Sequence, residues 1–283
     1  MKKLLTILLL LIVISGCSNQ SESVPSDGSE RSSENSIRVV LASEVNWEAL
    51  NPARGDMSPR AGTLWGDRNA EVPTGFLAQF VDGFSSPPHI HNVTYRAVVI
   101  DGAIHNDDPS AENMWMTPGS FWTQPKGEVH ITAAKGTRNI ALVEIDHGPY
   151  LVKPVPEAFD SGERPVNIDA TNLVWLPFFG QPNNSEAYIS YLWGQPEEGQ
   201  WNGTFLKLSP GIVGNLGASG TVFHSVVIQG TLIYGETEQK ELQPGSYIGA
   251  EGTSRHVLRV PPEQEVIMYI RTNGLFSWDG SSS

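Results

Sequence analysis

The feature that most constrains this chain is that it is written twice. Sliding it by 128 residues lays Trp47 on Trp175, Leu64-Trp65-Gly66 on Leu192-Trp193-Gly194, Gly75 on Gly203, Gly83 on Gly211, and Val98-Val99-Ile100-Asp101-Gly102 on Val226-Val227-Ile228-Gln229-Gly230. Farther on the offset becomes 126, pairing Pro118-Gly119-Ser120 with Pro244-Gly245-Ser246, His130 with His256 and Gly148 with Gly274. So many identities in register mean one structural unit present in two copies, with the boundary between Val155 and Asn167 and two residues lost from one hairpin. Each copy consists of short apolar alternations cut by turn residues, as in residues 95–106 and 139–148 of the first and 224–235 and 265–274 of the second. This is the pattern of strand, turn and strand. Asp101-Gly102 and Gln229-Gly230 supply the tolerance of positive φ that tight hairpins need, and 28 Gly with 20 Pro oppose long helices. The fold class expected is all-β: two antiparallel sandwich or barrel domains over residues 37–155 and 156–283. Features kept in both copies, such as Trp47 with Trp175 and Trp65 with Trp193, are read as packing anchors.

The histidines sharpen this. In the first copy Gly83 is followed after five residues by His89-Ile90-His91, and Gly119 is followed after five residues by Pro125, Gly127 and His130. The pattern resembles the two sequence motifs of the cupin superfamily, double-sheet jelly-roll barrels. With both copies counted the resemblance covers nearly all of the chain after residue 36, as a bicupin close to a bacterial cupin-like family of unknown function. It implies that His89, His91 and His130 bind a divalent metal, Fe2+ or Zn2+ with Mn2+ as a further candidate. Strand geometry gives a separate reason: residues two apart project from the same face, so two imidazoles emerge side by side and a third from another strand can close one face of an ion. Cupins usually carry a glutamate four residues past the second histidine, where this chain has Tyr95. That residue either ligates weakly or stands beside the ion as a hydrogen-bonding hydroxyl, and a phenol pKa of about 10 makes the hydroxyl the expectation. Three neutral ligands leave the full dication charge on the site, which suits anionic or enolisable oxygen donors.

The second copy has Gly217, Ser219 and Phe223 where the first has His89, His91 and Tyr95, so His256 stands alone and no metal site is expected there. Gln124 and Glu144 are Ala250 and Ile270 in the second copy. They are candidates to line the pocket, Gln124 together with Tyr95 as tentative catalytic residues beside the metal. Glu144 is also a candidate to close the fourth coordination position. Arg96, whose parity faces away from the barrel interior, or Gln124 would orient the substrate if the pocket bends toward them, and Trp115 and Trp122 would wall the cavity.

The N-terminus places this body. Two lysines, an apolar run from Leu4 to Ile14, then Ser15, Gly16 and Cys17 read as an export signal over residues 1–16. The run is too short for a transmembrane helix, which takes roughly 20 residues. The ending Ile14-Ser15-Gly16-Cys17 resembles a bacterial lipobox, which implies lipidation of Cys17, the one cysteine in the sequence. Residues 17–36 are serine-rich, charged and poor in apolar groups, and are read as a tether spanning roughly 25 Å. The protein is thus expected outside the cytoplasm, held to the membrane by its lipid alone, on the outer membrane if the cell has two. Eighteen basic against 31 acidic residues give a net charge of −13, which repels nucleic acid. The partners expected are a small-molecule ligand or substrate and, as a further candidate, a second copy in a homodimer. Two functions stay open: a metal-dependent, dioxygenase-like enzyme acting on a small oxygenated molecule, or a non-catalytic metal- or ligand-binding envelope protein. Outside the cytoplasm ferrous iron is readily oxidised, which keeps zinc as a rival.

Overall fold

Alternation between glycine turns does produce strands in the computed structural model, which describes residues 36–178 and 186–282. The export signal, Cys17 and the tether up to residue 35 lie outside the described residues. The first half contains β1 (Ile37–Val40), β2 (Trp47–Ala49), β3 (Arg60–Trp65), β4 (Thr74–Phe80), β5 (His89–His91), β6 (Tyr95–Asp107), β7 (Phe121–Gln124), β8 (Ile131–Ile145) and β9 (Val152–Pro154). The second contains β10 (Val166–Ile168), β11 (Leu176–Pro177), β12 (Ala187–Gly194), β13 (Asn202–Leu208), β14 (Ile212–Ala218), β15 (Val222–Gln229) and β16 (Leu232–Tyr234). It ends with β17 (Lys240–Leu242), β18 (Tyr247–Glu251), β19 (Ser254–Arg259), β20 (Val266–Thr272) and β21 (Phe276–Ser282). Among the described residues helix is confined to single 3-10 turns and the short segment Pro52–Met57. The fold is two tandem jelly-roll barrels.

Each barrel contributes one large sheet, with strand orders β10-β7-β6-β8-β4-β3-β2 and β1-β18-β15-β20-β13-β12-β11. These sheets are buried on both faces, and this is why their central strands read as continuous apolar runs. Along β6, Tyr95, Ala97 and Val99 face the first barrel's interior with Phe76, Trp122 and Val143. Val98 and Ile100 face the other way, into a cluster shared with Phe205, Val226 and Tyr269 of the second sheet. A separate core fills the second barrel around Leu206, Phe223, Leu258 and Met268.

The shared cluster explains the repeated tryptophans. Trp65 lies opposite Gly75, and Trp193 opposite its repeat partner Gly203. A Cβ on either glycine would sit about 2 Å from the indole, so the ring needs a residue without one. Trp65 stacks on His224 at 4.4 Å, and Trp193 carries the Arg96 guanidinium at 3.8 Å. Because Arg96 and His224 are repeat equivalents, each barrel's indole covers the same position of the other barrel.

Strand pairing crosses the sequence boundary in both directions. β1 pairs with β18 in the second sheet, and β10, which precedes the second barrel, pairs with β7 in the first. These two strands are themselves repeat equivalents, so the exchange is reciprocal. Periodicity places residues in strands but carries no information on which edge a terminal strand completes.

Candidate metal centre

His89 and His91 sit on β5, and His130 immediately precedes β8. Register alone brings them together: His89 and His130 exchange main-chain hydrogen bonds of 3.1 and 3.0 Å. The turn carrying Pro125 and Gly127 docks on the same strand, Gly127 N–H donating to the His91 carbonyl at 2.9 Å. Gly127 has φ +77°, and a Cβ there would meet the Phe159 carbonyl at 2.5 Å. The three rings converge, with centroids 4.3 to 5.3 Å apart. One ring nitrogen from each lies within 4.8 Å of the others, and all three residues are buried.

The main chain sets the tautomers. Nδ1–H of His89 donates to the Pro87 carbonyl at 2.9 Å, that of His91 to the Leu151 carbonyl at 3.1 Å, and that of His130 to the Glu128 carbonyl at 3.2 Å. A carbonyl only accepts, so each Nδ1 carries the proton and each Nε2 keeps its lone pair for an ion. Burial lowers the pKa of all three: His89 moderately, His91 well below its ordinary value with help from the charges on His130 and His89, and His130 to about 3. Neutral rings are what a cation needs. The donor set and its fixed lone pairs fit a divalent first-row metal.

Two phenols border the lone pairs. The Tyr95 hydroxyl lies 3.4 Å from His130 Nε2 and donates to Asn106 Oδ1 at 2.8 Å. The Tyr150 hydroxyl is 3.2 Å from His91 Nε2, its ring stacked on that imidazole at 4.4 Å. Burial raises Tyr95 to about 12 and Tyr150 well above its ordinary value, so both stay protonated. Behind Tyr95, Thr132 also donates to Asn106 Oδ1 at 2.8 Å, Asn106 Nδ2 donates to Gln124 Oε1 at 2.9 Å, and Gln124 Nε2 donates to the Glu128 carbonyl at 3.3 Å. That same carbonyl accepts from His130, so one network fixes both the phenol and the imidazole.

Beside the histidines opens a cavity of about 550 Å³, walled by Phe76, Phe80, Phe84, Trp122 and Val143 and reaching Tyr95, Tyr150 and Arg54. Trp122 therefore walls the cavity as expected, whereas Trp115 packs by His105 under the Lys135 ammonium. Three other expectations are corrected. Gln124 is buried but does not line the cavity; it holds Asn106 from behind. Arg96 faces the other barrel, ion-paired to Asp146 at 3.0 Å, because alternation along β6 sends it to the face opposite Tyr95. Glu144 also points between the barrels, to Arg271 at 3.1 Å, and cannot close a fourth coordination position. Sequence reasoning missed Tyr150, Asn106, Thr132 and Arg54. Thr132 lies two residues past His130, where strand parity could have flagged it, whereas register shifts within β6 between Val99 and Ala103 turn Asn106 inward against simple counting, and Tyr150 and Arg54 lie in irregular segments where no periodicity applies.

In the second barrel His256 is held by Tyr234 and Ser254 and stacks on Phe223 at 4.9 Å. It is a core histidine without ligand neighbours, and no second cluster of three metal-ligating groups occurs among the described residues.

Residues 38–279 match a family described as "Domain of unknown function (DUF4437)". No curated protein matches the chain. Solved structures with the same fold include a "putative dioxygenase" from Nostoc punctiforme, at 13% identity and TM-score 0.63, covering 84% of this chain and 82% of that one. Another is vicilin from hazelnut, Corylus avellana, at 11% identity and TM-score 0.54, covering 85% and 87%. A third is an oxalate decarboxylase from Lactobacillus farciminis in a formate complex, at 10% identity and TM-score 0.54, covering 86% and 88%. At these identities the likeness establishes a cupin fold.

Proposed function

The chain belongs to the DUF4437 family, and we propose that it is a metal-binding bicupin lipoprotein that works as a metal-dependent, dioxygenase-like enzyme on a small oxygenated molecule. The observation that carries this reading is the set of three buried, converging imidazoles, each with Nδ1–H donated to a carbonyl and Nε2 unprotonated, beside an aromatic cavity. His89, His91 and His130 would hold the ion. A divalent metal bound there supplies Lewis-acid or redox chemistry toward an oxygen donor. Tyr95 and Tyr150 keep their protons and offer hydroxyls beside the site, and the aromatic walls exclude water and orient an apolar body. Three protein ligands would leave coordination positions for substrate, as catalysis requires. The competing reading is a binding protein without turnover. The Nostoc and Lactobacillus neighbours named for enzymes are the reason to prefer catalysis.

Elemental analysis of the purified protein beside a His89→Ala variant tests the site: near-stoichiometric divalent metal is expected in the parent and loss of it in the variant. Unchanged metal content in the variant would defeat the assignment. Oxygen uptake on small β-dicarbonyl compounds by iron-loaded protein then separates enzyme from binding module. The lipid anchor rests on the sequence of residues 1–17; Cys17→Ser is expected to move the protein from the membrane fraction to the soluble one, and retention in the membrane would refute it.

A further inference from the structure

Arg54 is the single charged side chain, the neutral imidazoles aside, among the residues that line the cavity. No carboxylate joins it there, although the chain as a whole carries a net charge of −13. Arg54 sits on the 3-10 segment Pro52–Met57, anchored by its N–H to the Asn51 carbonyl at 3.0 Å. Its guanidinium lies 5.1 Å over the ring of Phe84, a buried wall residue, and no ion pair engages it among the described residues. Asp56, on the same segment, lines a neighbouring hollow instead. A guanidinium held against an aromatic wall, with its donors unspent and no acid to neutralise it, is an anion receptor with a geometry suited to carboxylate. Farther in, the walls are apolar rings, with the Trp122 indole beside the Tyr95 phenol.

We propose that this cavity takes a monoanionic organic acid with an aryl or similarly sized apolar body, its carboxylate held by Arg54 at the mouth and its other end directed at the histidines. The inference deepens the reading of this cavity as a substrate site and rests on it. Phenyl rings among Phe76, Phe80, Phe84 and Trp122 would supply most of the affinity, and Arg54 the choice of acid over neutral analogue.

The test is calorimetric binding of 3-phenylpropanoate and 3-phenylpropanamide to the metal-loaded protein, its Arg54→Gln variant and its Arg54→Lys variant, each with metal content measured. The acid is expected to bind about tenfold tighter than the amide. Arg54→Gln should erase that preference, Arg54→Lys should restore part of it, and metal content should not change. Equal affinities for acid and amide, no binding of either, or a preference that survives Arg54→Gln would each overturn the inference. The last result would mean that the carboxylate binds at the metal end. The two readings fail separately: metal lost in His89→Ala but no Arg54-dependent preference sinks this inference alone, whereas an Arg54-dependent preference with metal retained in His89→Ala sinks the metal assignment and leaves the anion site standing.

Discussion

At the scale of single residues, the site is an exercise in satisfying buried polar groups. Each ligand imidazole has one nitrogen committed to a carbonyl, and the remaining polar atoms of Tyr95, Thr132, Asn106 and Gln124 are joined head to tail. Gln124, like Asn106, does not line the cavity, so it serves as a positioning residue. Gln124→Ala would leave the Asn106 amide without its acceptor and the Glu128 carbonyl with one of its two donors, the His130 imidazole. The expected cost is about 1–3 kcal/mol in urea unfolding, with looser metal binding because the Glu128 carbonyl orients His130; wild-type values for both would refute the role. A second expectation concerns pH. Burial lowers His224 to about 3 and His256 to about 4, from an ordinary 6.5. Below pH 6.5 the unfolded chain takes up protons that the folded chain refuses, so stability must fall with pH from about 6.5 downward. Urea midpoints of the chelator-treated protein at pH 7.5 and pH 5 should differ in that direction.

At the scale of elements, strand parity separates two chemistries on one strand. Tyr95 of β6 faces the imidazoles, and Arg96, its neighbour, joins the network between the sheets. There Arg271 of β20 bridges Glu144 at 3.1 Å and Asp146 at 2.8 Å, its guanidinium 4.7 Å above the Trp201 ring. Arg271 and Glu144 are both almost fully buried. Removing the cation leaves the buried Glu144 carboxylate only the longer contact to Arg96 at 3.8 Å, so Arg271→Met is expected to destabilise by about 3–5 kcal/mol. The companion Arg271→Met/Glu144→Leu protein should recover much of that loss, because no charge is then left unpaired. Thermal and urea unfolding of the pair decide it; a single variant as stable as the parent would mean that the ion pair contributes little.

At the scale of the whole molecule, the reciprocal exchange of β1 and β10 makes the barrels interdependent. Residues 37–155 alone lack β10, and they expose Val98, Ile100 and Leu142, which the second sheet otherwise covers. That fragment is expected to be insoluble or partly unfolded, while residues 36–282 fold; circular dichroism and gel filtration of the two would show it, and a soluble, cooperatively melting fragment would refute it. The sequence by itself determined the duplication, the all-β class, the cupin pattern and the three histidines, because repeat register, period-two alternation and motif spacing are local or self-referential signals. It also put Tyr95 with the imidazoles, although the chain bends between β5 and β6, so counting along one strand is not what brings them together. Only the tertiary structure decided that Glu144 and Arg96 serve the seam between barrels, that Tyr150 and Arg54 reach the cavity from irregular segments, and that the first and tenth strands trade barrels. Those facts depend on which surface covers each sheet's second face, and packing between residues more than a hundred positions apart leaves no periodic trace in the chain.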